Sequence, residues 1–166
     1  MIRSTGLRNT SDMNQPTIHT AGIVDVMFGV GVKIVTPVNL YGCHIGDGCF
    51  IGPFTEIQRD VKLGARVKVQ SHSFICELAT IGDDCFIGHG VMFINDLFED
   101  GGPAGGDRSK WKPTRVGNRV SIGSNATILP VKICDDVVIG AGAVVTKDIV
   151  KSGVYAGNPA RFLRSL

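Results

Sequence analysis

An apolar residue returns at every sixth position over most of this 166-residue chain. A first run extends from Ile34 to Phe93 and a second from Val116 to Val145, and only two of the steps are five residues long. A glycine often follows the apolar residue, and a small or β-branched residue comes four positions after it. Helices need a period of 3.6, and antiparallel hairpins do not repeat at six with a glycine beside each aliphatic residue. The pattern therefore indicates short strands joined by regularly spaced corners.

Short strands of this kind cannot bury an apolar face alone, so successive turns have to stack, with parallel strands about 4.8 Å apart. Glycine suits the corners because it adopts a positive φ without steric cost. The pattern predicts an all-β fold, a parallel β-helix of about six coils, with Phe28 in a first partial coil. Three sides of six residues in each coil would place residues 18 apart above one another.

Three segments fall outside the ladder of apolar residues. Residues 1–17 are polar and predict a loosely ordered lead-in before a β-helix over 18–150, and residues 151–166 predict a short C-terminal tail. The two runs are separated by a Gly-rich insert at about 97–115 that is too long and too polar for a simple corner. We expect one protruding loop there, and loops of this length in a compact domain are often functional.

Composition excludes several classes of function. The formal net charge is only +2, and Lys and Arg are spread along the chain, which argues against nucleic acid as a partner. No stretch approaches the roughly 18 apolar residues of a membrane span, and the first twenty residues lack the apolar core of a secretory signal. The five cysteines form no CxxC pair, and their odd number argues against a complete disulfide framework. These features predict a cytoplasmic protein with reduced thiols and no membrane partner.

The corner residues fall into three columns if residues 18 apart stack. One column is rich in aspartate and arginine and is expected to be a solvated edge. A second column carries no formal charge unless a histidine is protonated, which suggests a subunit contact or a ligand groove. It contains His72, His89, Ser124, Asn125, Ala141 and Gly142, the last four provided that the insert preserves the side count.

Histidines in the uncharged column are candidates for proton transfer. His72 and His89 should be neighbours on adjacent coils and within reach of the insert. A single corner histidine is more often only a surface residue, but two stacked histidines favour a functional role, because imidazole can accept a proton near neutral pH. The third column places Glu77 under Asn95, where both would either hold the root of the insert or contact a substrate. Trp111 would either pin the insert or cover a ligand.

The C-terminal part carries a more specific signal. Residues 139–148 are IGAGAVVTKD and residues 157–161 are GNPAR, and with the ladder these resemble the hexapeptide acyltransferases. Residues 68–77, KVQSHSFICE, followed by FIND at 93–96 and the insert, are similar to the bacterial N-acetyltransferases of nucleotide-linked amino sugars. The resemblance implies a left-handed β-helix and a homotrimer with active sites between subunits. It also implies acetyl-CoA-dependent acetylation of a UDP- or dTDP-linked amino sugar for surface polysaccharide, without a metal.

Roles for individual residues follow from the same resemblance. His72 becomes the first candidate base, because relatives place a sugar-contacting Asn or His in that segment, and His89 the second. Small residues would let the pantetheine of coenzyme A approach the main chain, while cations near the C-terminal coils would meet its phosphates. The implied substrate-binding residues are Glu77, Asn95, Asp96 and Trp111. The implied cofactor-binding residues are Ser124, Asn125, Ala141, Gly142, Lys147 and Arg161.

Other functions remain open on the residues alone. The nearest is O-acetylation of a sugar or a xenobiotic on the same scaffold. A zinc carbonic anhydrase of this fold takes three histidines, whereas only His72 and His89 are well placed here. A non-catalytic solenoid subunit is the remaining class, although the GNPAR ending and the uncharged column argue against it.

Overall fold

A computed structural model describes residues 16–166, so the lead-in predicted for residues 1–17 lies almost wholly outside the described residues. The chain forms a left-handed parallel β-helix of about seven turns. Each complete turn contributes one short strand to each of three sheets, called A, B and C here. The all-β fold class predicted from the apolar ladder is confirmed.

The three sheets are built from very short strands. Sheet A consists of β1 (Ile23–Val24), β4 (Asn39–Tyr41), β7 (Glu56–Ile57), β10 (Phe74–Ile75), β13 (Met92–Phe93), β16 (Thr127–Ile128) and β19 (Val144–Val145). Sheet B consists of β2 (Met27–Phe28), β5 (His44–Ile45), β8 (Lys62–Leu63), β11 (Ala79–Ile81), β14 (Thr114–Val116) and β17 (Lys132–Ile133). Sheet C consists of β3 (Lys33–Ile34), β6 (Phe50–Ile51), β9 (Lys68–Val69), β12 (Phe86–Ile87), β15 (Ser121–Ile122), β18 (Val137–Ile139), β20 (Gly153–Ala156) and β21 (Arg161–Arg164).

The core is a column of aliphatic side chains along the axis of the helix. Ladder residues such as Leu40 and Ile87 are fully buried, and so are the small residues two positions before them, among them Cys85. Side chains two apart on a strand point the same way, which explains why both sets face inward. All five cysteines are free, as their sequence pattern predicts, and burial raises the pKa of Cys76 to about 12.

The N-terminal turn is the one that the ladder count of about six coils misses. It contains β1, β2 and β3, and Phe28 lies in it, as expected for a partial first coil. Ile23, Val24 and Met27 are exposed, so this turn lacks the buried aliphatic residues that mark the later ones. A count that begins at Ile34, the half-buried ladder residue of β3, includes only the last strand of this turn and therefore falls one turn short.

The insert occupies a single corner of the β-helix. It leaves sheet A after β13 and returns in sheet B at β14, where Thr114 pairs with Ala79 of β11. The order of sheets is thus unbroken, and the side count is preserved across the insert. At the other end, residues 151–166 continue sheet C, because β20 pairs parallel with β18 and β21 folds back antiparallel on β20.

Three corners separate the sheets, and each has its own chemistry. The acidic corner follows sheet B and is formed by Asp47–Gly48, Ala65–Arg66, Asp83–Asp84, Asn118–Arg119 and Asp135–Asp136. The histidine corner follows sheet C and is formed by Pro53–Phe54, Ser71–His72, His89–Gly90, Ser124–Asn125 and Ala141–Gly142. The loop corner follows sheet A and carries Asp60, Glu77, Asn95, the insert and Lys147.

Candidate functional site

The histidine corner is continuous from the first half of the chain into the second. Main-chain hydrogen bonds join its successive levels, from the His72 amide to the Pro53 carbonyl at 3.1 Å and from the Asn125 amide to the His89 carbonyl at 2.8 Å. The Gly142 amide in turn donates to the Ser124 carbonyl at 2.9 Å. The residues predicted from the 18-residue spacing to stack on one column therefore do so, on both sides of the insert.

The two histidines of this corner have different surroundings. Nδ1 of His89 lies 2.9 Å from the Oγ of Ser71, one turn below. The ring of His72 instead stacks on Phe54, with ring centroids 4.9 Å apart and an interplanar angle of 29°. A hydrogen bond at Nδ1 orients an imidazole and directs its Nε2 elsewhere. His89 is thus presented to solvent in a defined orientation, whereas His72 lies against an aromatic ring.

Backbone conformation does not distinguish these residues. His72 and Asn125 have φ of 61° and 58°, in the left-handed region that few residues adopt. At the acidic corner, Arg66 and Asp84 have φ of 59° and 58°. Positive φ is therefore what any corner of this β-helix requires at that position, and it carries no information about function.

The predicted cofactor residues form two groups. Ser124, Asn125, Ala141 and Gly142 lie on the histidine corner, beyond His89 along the axis, where no large side chain projects. Lys147 and Arg161 instead line a cleft of about 290 Å³ at the C-terminal end, together with Tyr155 and Phe162. Because Lys147 belongs to the loop corner, the two groups are separate within one chain.

Glu77 and Asn95 meet at the root of the insert, as the stacking predicts. The Asn95 Nδ2 donates to the Glu77 main-chain oxygen at 3.3 Å. The Glu77 side chain is only 15% exposed, and its Oε2 lies 2.8 Å from the Arg108 guanidinium. That oxygen is buried and has no hydrogen bond of favourable geometry with the residues described, so Arg108 supplies its counter-charge.

Asp96 and Trp111 have places within the insert. The two carboxylate oxygens of Asp96 accept hydrogen bonds from the amides of Ala104 and Phe98, at 2.7 and 3.0 Å, and these bonds lower the pKa of Asp96. Trp111 is half-buried, and its amide donates to the Arg108 carbonyl at the end of a 3-10 helix, Arg108–Lys110. In the structure, both residues organise the insert.

The insert and the two histidines lie at opposite edges of sheet A. The histidines were expected within reach of the insert; the insert arises at the loop corner after sheet A, and His72 and His89 lie at the histidine corner before it. A site that uses both features has to combine two different corners.

Sequence reasoning missed Ser71 and Arg108 as partners of the predicted residues. Ser71 lies 18 residues before His89, so the spacing that defined the columns contained the signal for this pair. Arg108 joins the insert to Glu77 and to Asp60, 48 residues away. No spacing rule could have found that contact, because the insert has no repeat.

Residues 16–166 contain neither a cluster of metal ligands nor a membrane-spanning helix. No group of three or more His, Cys, Asp or Glu side chains there is arranged to hold a metal ion. No helix of this part of the chain is long and apolar enough to cross a membrane.

Family models recognise the repeat on both sides of the insert. Residues 79–92 and 113–147 match the hexapeptide repeat of succinyl-transferase, and residues 42–77 match the bacterial transferase hexapeptide (six repeats). The chain belongs to the hexapeptide-repeat acyltransferase superfamily. The resemblance noted from the C-terminal motifs is thereby confirmed at the level of the superfamily.

Among curated hexapeptide-repeat proteins, the chain is similar to the bifunctional protein GlmU of several bacteria. It is 33% identical to the Nostoc protein over 135 residues, which is 80% of this chain and 27% of GlmU. It is 30% identical to a Clostridium botulinum protein over 152 residues, which is 85% of this chain and 32% of GlmU. The chain thus spans about a third or less of the length of these relatives.

Several solved hexapeptide-repeat structures share the fold. A His-to-Asn variant of the perosamine N-acetyltransferase of Caulobacter crescentus, in complex with CoA and GDP-perosamine, is 22% identical with a TM-score of 0.59 over 84% of this chain and 58% of that one. NeuO, a polySia-specific acetyltransferase, is 26% identical with a TM-score of 0.51 over 84% of this chain and 70% of that one.

Proposed function

We propose that this chain is an acetyltransferase that moves the acetyl group of acetyl-CoA to an amino group of a nucleotide-linked sugar. The observation that carries the proposal is the Ser71–His89 pair at the base of a corner of small, uncharged residues. Membership of an acyltransferase superfamily supplies the class of reaction. The likeness to NeuO and to a perosamine N-acetyltransferase favours a carbohydrate acceptor.

In the proposed reaction, the sugar amine attacks the thioester carbonyl of acetyl-CoA. The Nε2 of His89 takes a proton from the attacking nitrogen, the tetrahedral centre collapses, and the C–S bond breaks. The imidazolium then returns its proton to the departing thiolate, so that an amide and free coenzyme A are the products. Ser71 orients His89 through Nδ1. This geometry favours His89 as the base over His72, the first choice from sequence.

The cofactor would lie along the histidine corner above His89. Ser124, Asn125, Ala141 and Gly142 leave the main chain accessible, which suits a flexible pantetheine. The phosphates of coenzyme A would then need cations, and Lys147 with Arg161 at the C-terminal cleft are the residues that we assign to them.

The acceptor site would form between subunits of a homotrimer. Within one chain the insert and His89 lie at opposite edges of sheet A, so Glu77, Asn95, Asp96 and Trp111 stand apart from the same chain's His89. A neighbouring copy that places its loop corner against the histidine corner would bring them together. Trp111 would then cover the nucleotide. UDP and dTDP were expected from the sequence, and the GDP-perosamine relative adds GDP to the candidates.

The proposal is tested by measuring release of the coenzyme A thiol with UDP-, dTDP- and GDP-linked amino sugars. Wild-type protein should turn over at least one of them, and Ser71→Ala should lower kcat by about tenfold because His89 loses its orientation. His89→Ala with and without Ser71→Ala should be equally slow, since the two residues act as a unit. Unchanged rates in both single variants would remove the His89 mechanism.

O-acetylation is the second candidate function. The likeness to a maltose O-acetyltransferase of Clostridium difficile, 23% identical with a TM-score of 0.50 over 84% of this chain and 71% of that one, favours it more than any residue of the site does. If the protein acetylates hydroxyl acceptors but none of the amino sugars in the same assay, O-acetylation replaces the amine proposal.

A further inference from the structure

The insert is a compact unit that is held together mainly by its own contacts. Asp107 accepts a hydrogen bond from the Ser109 amide at the start of the 3-10 helix. The Lys112 amide closes the base of the insert on the Asn95 carbonyl at 2.8 Å. An ion pair of 2.8 Å joins Lys110 to Asp100 inside the insert. The position of such a unit on the β-helix depends on the contacts that tie it to the coils.

Arg108 makes that connection. Its guanidinium pairs with Asp60, which follows β7, and with Glu77, which follows β10, so one side chain spans two successive turns. Among residues 16–166, these are the only salt bridges from the insert to the coils. The hydrogen bond to Asp60 and the charge of Glu77 raise the pKa of Arg108 above its ordinary value.

The two carboxylates contribute unequally. Asp60 is 53% exposed, and an exposed ion pair has little effect on its own. Glu77 is only 15% exposed, and without Arg108 its carboxylate would lose its counter-charge. The seated position of the insert is therefore favoured chiefly by Glu77, which also lies under Asn95.

From this arrangement we infer that Arg108 is a positioning residue that seats the insert on Glu77 and Asp60 and thereby sets the affinity for the acceptor. The part of this inference that concerns the acceptor rests on the proposed function. Arg108 pairs with Glu77, its carbonyl accepts from the Trp111 amide, and Asn95 donates to Glu77, whereas Ser124, Asn125, Ala141 and Gly142 lie at the histidine corner. Loss of Arg108 should therefore affect the acceptor and leave acetyl-CoA binding intact.

A direct readout exists because Trp111 is the only tryptophan of the chain. Acrylamide quenching of its fluorescence reports seating of the insert without any reaction. Arg108→Ala should make Trp111 more accessible to acrylamide and raise KM for the acceptor about tenfold, with kcat and KM for acetyl-CoA within about twofold. Arg108→Lys should recover only part of both effects, because one ammonium cannot reproduce a guanidinium fork.

Arg119→Ala is the matched control. Arg119 also pairs with two carboxylates from its own edge, Asp135 and Asp136, and is similarly exposed, but it lies at the acidic corner. The Arg119→Ala substitution should leave both the quenching of Trp111 and the KM for the acceptor unchanged. Wild-type quenching and KM in Arg108→Ala, or equal rises in KM for both substrates, would overturn the inference. Failure of wild-type protein to acetylate any amino sugar would instead contradict the proposed function, with quenching still deciding the seating.

Discussion

The acidic corner and the histidine corner share one backbone and differ in how their side chains are used. At the acidic corner, the Asp83 Oδ1 accepts from the Ala65 amide at 2.9 Å, and the Arg66 guanidinium donates to Asp84 at 2.6 and 2.7 Å. From Ala65 to Asp136, each level of this corner thus binds the next one through side chains. At the histidine corner, Ser71–His89 is the only pair of hydrogen-bonded side chains among the described residues.

This difference separates what the fold needs from what is available to a ligand. Both corners are already held by main-chain bonds between levels, such as Asp84 amide to Ala65 carbonyl and Gly90 amide to Ser71 carbonyl. The additional carboxylate and guanidinium groups at the acidic corner are paired with groups on neighbouring levels. The histidine corner keeps an imidazole and accessible main chain, which leaves these groups available to a ligand.

The largest expected effect concerns His89. His89→Ala should lower acetyl transfer by about 10²- to 10⁴-fold, the usual contribution of general acid–base catalysis. Asp83→Ala, its counterpart at the acidic corner, should keep wild-type activity. Steady-state rates for the two variants, normalised to folded protein by circular dichroism, check the contrast. An active His89→Ala protein would break the assignment of chemistry to this corner.

A second comparison concerns the glycines that precede both corners. A Cβ on Gly88 would lie 2.7 Å from the Ser124 amide nitrogen, and one on Gly82 would lie 2.7 Å from the main chain of Gly117. Gly88→Ala and Gly82→Ala should each cost about 1–3 kcal/mol of unfolding free energy, because the next turn has to shift. Urea unfolding measures both values. Loss of stability at only one corner would show that the turns do not stack equally.

Charge at the histidine corner provides a third test. Ala141→Asp should raise the Kd for acetyl-CoA about tenfold, which is about 1.4 kcal/mol, because the new side chain fills the groove and repels phosphate. Ala65→Asp is the matched control, since aspartate already occupies the equivalent place at Asp47 and Asp83. Calorimetric titration should show no change in that variant. Equal affinities for Ala141→Asp and wild type would remove the cofactor from this corner.

The smallest effect concerns pH at the acidic corner. Hydrogen bonds from Arg66 and Arg119 lower the pKa of Asp84 and Asp136 below the ordinary value of 3.8. A carboxyl group whose pKa is lower in the folded state stabilises that state fully when the pH is above its ordinary pKa. This contribution is lost as the pH falls through the lower pKa of the folded protein. Melting temperatures measured between pH 5 and 2 should fall less steeply for the double variant, Arg66→Ala with Arg119→Ala, than for wild type. The same slope in both proteins would contradict this prediction.

The repeat made the fold predictable, while the insert limited what could be said of the site. The apolar ladder from Ile34 to Val145 identifies strands β3 to β19, because a buried or half-buried apolar residue marks each of them. The columns followed from the same period, including the stacking of Asn125 over His89. Arg108 and its contact with Asp60 could not be predicted, since long-range side-chain pairs in a segment without periodicity leave no pattern in the sequence.

The insert also changes how the chain can fold. Most paired strands are 17 or 18 residues apart, but the three pairs that span the insert, such as Ala79 with Thr114, are 35 residues apart. Doubling a loop adds about 0.6 kcal/mol to the entropy of closing it, and a solenoid propagates from neighbour to neighbour. We therefore expect the turn that runs from β11 through the insert to β14 to close more slowly than the other turns of the β-helix.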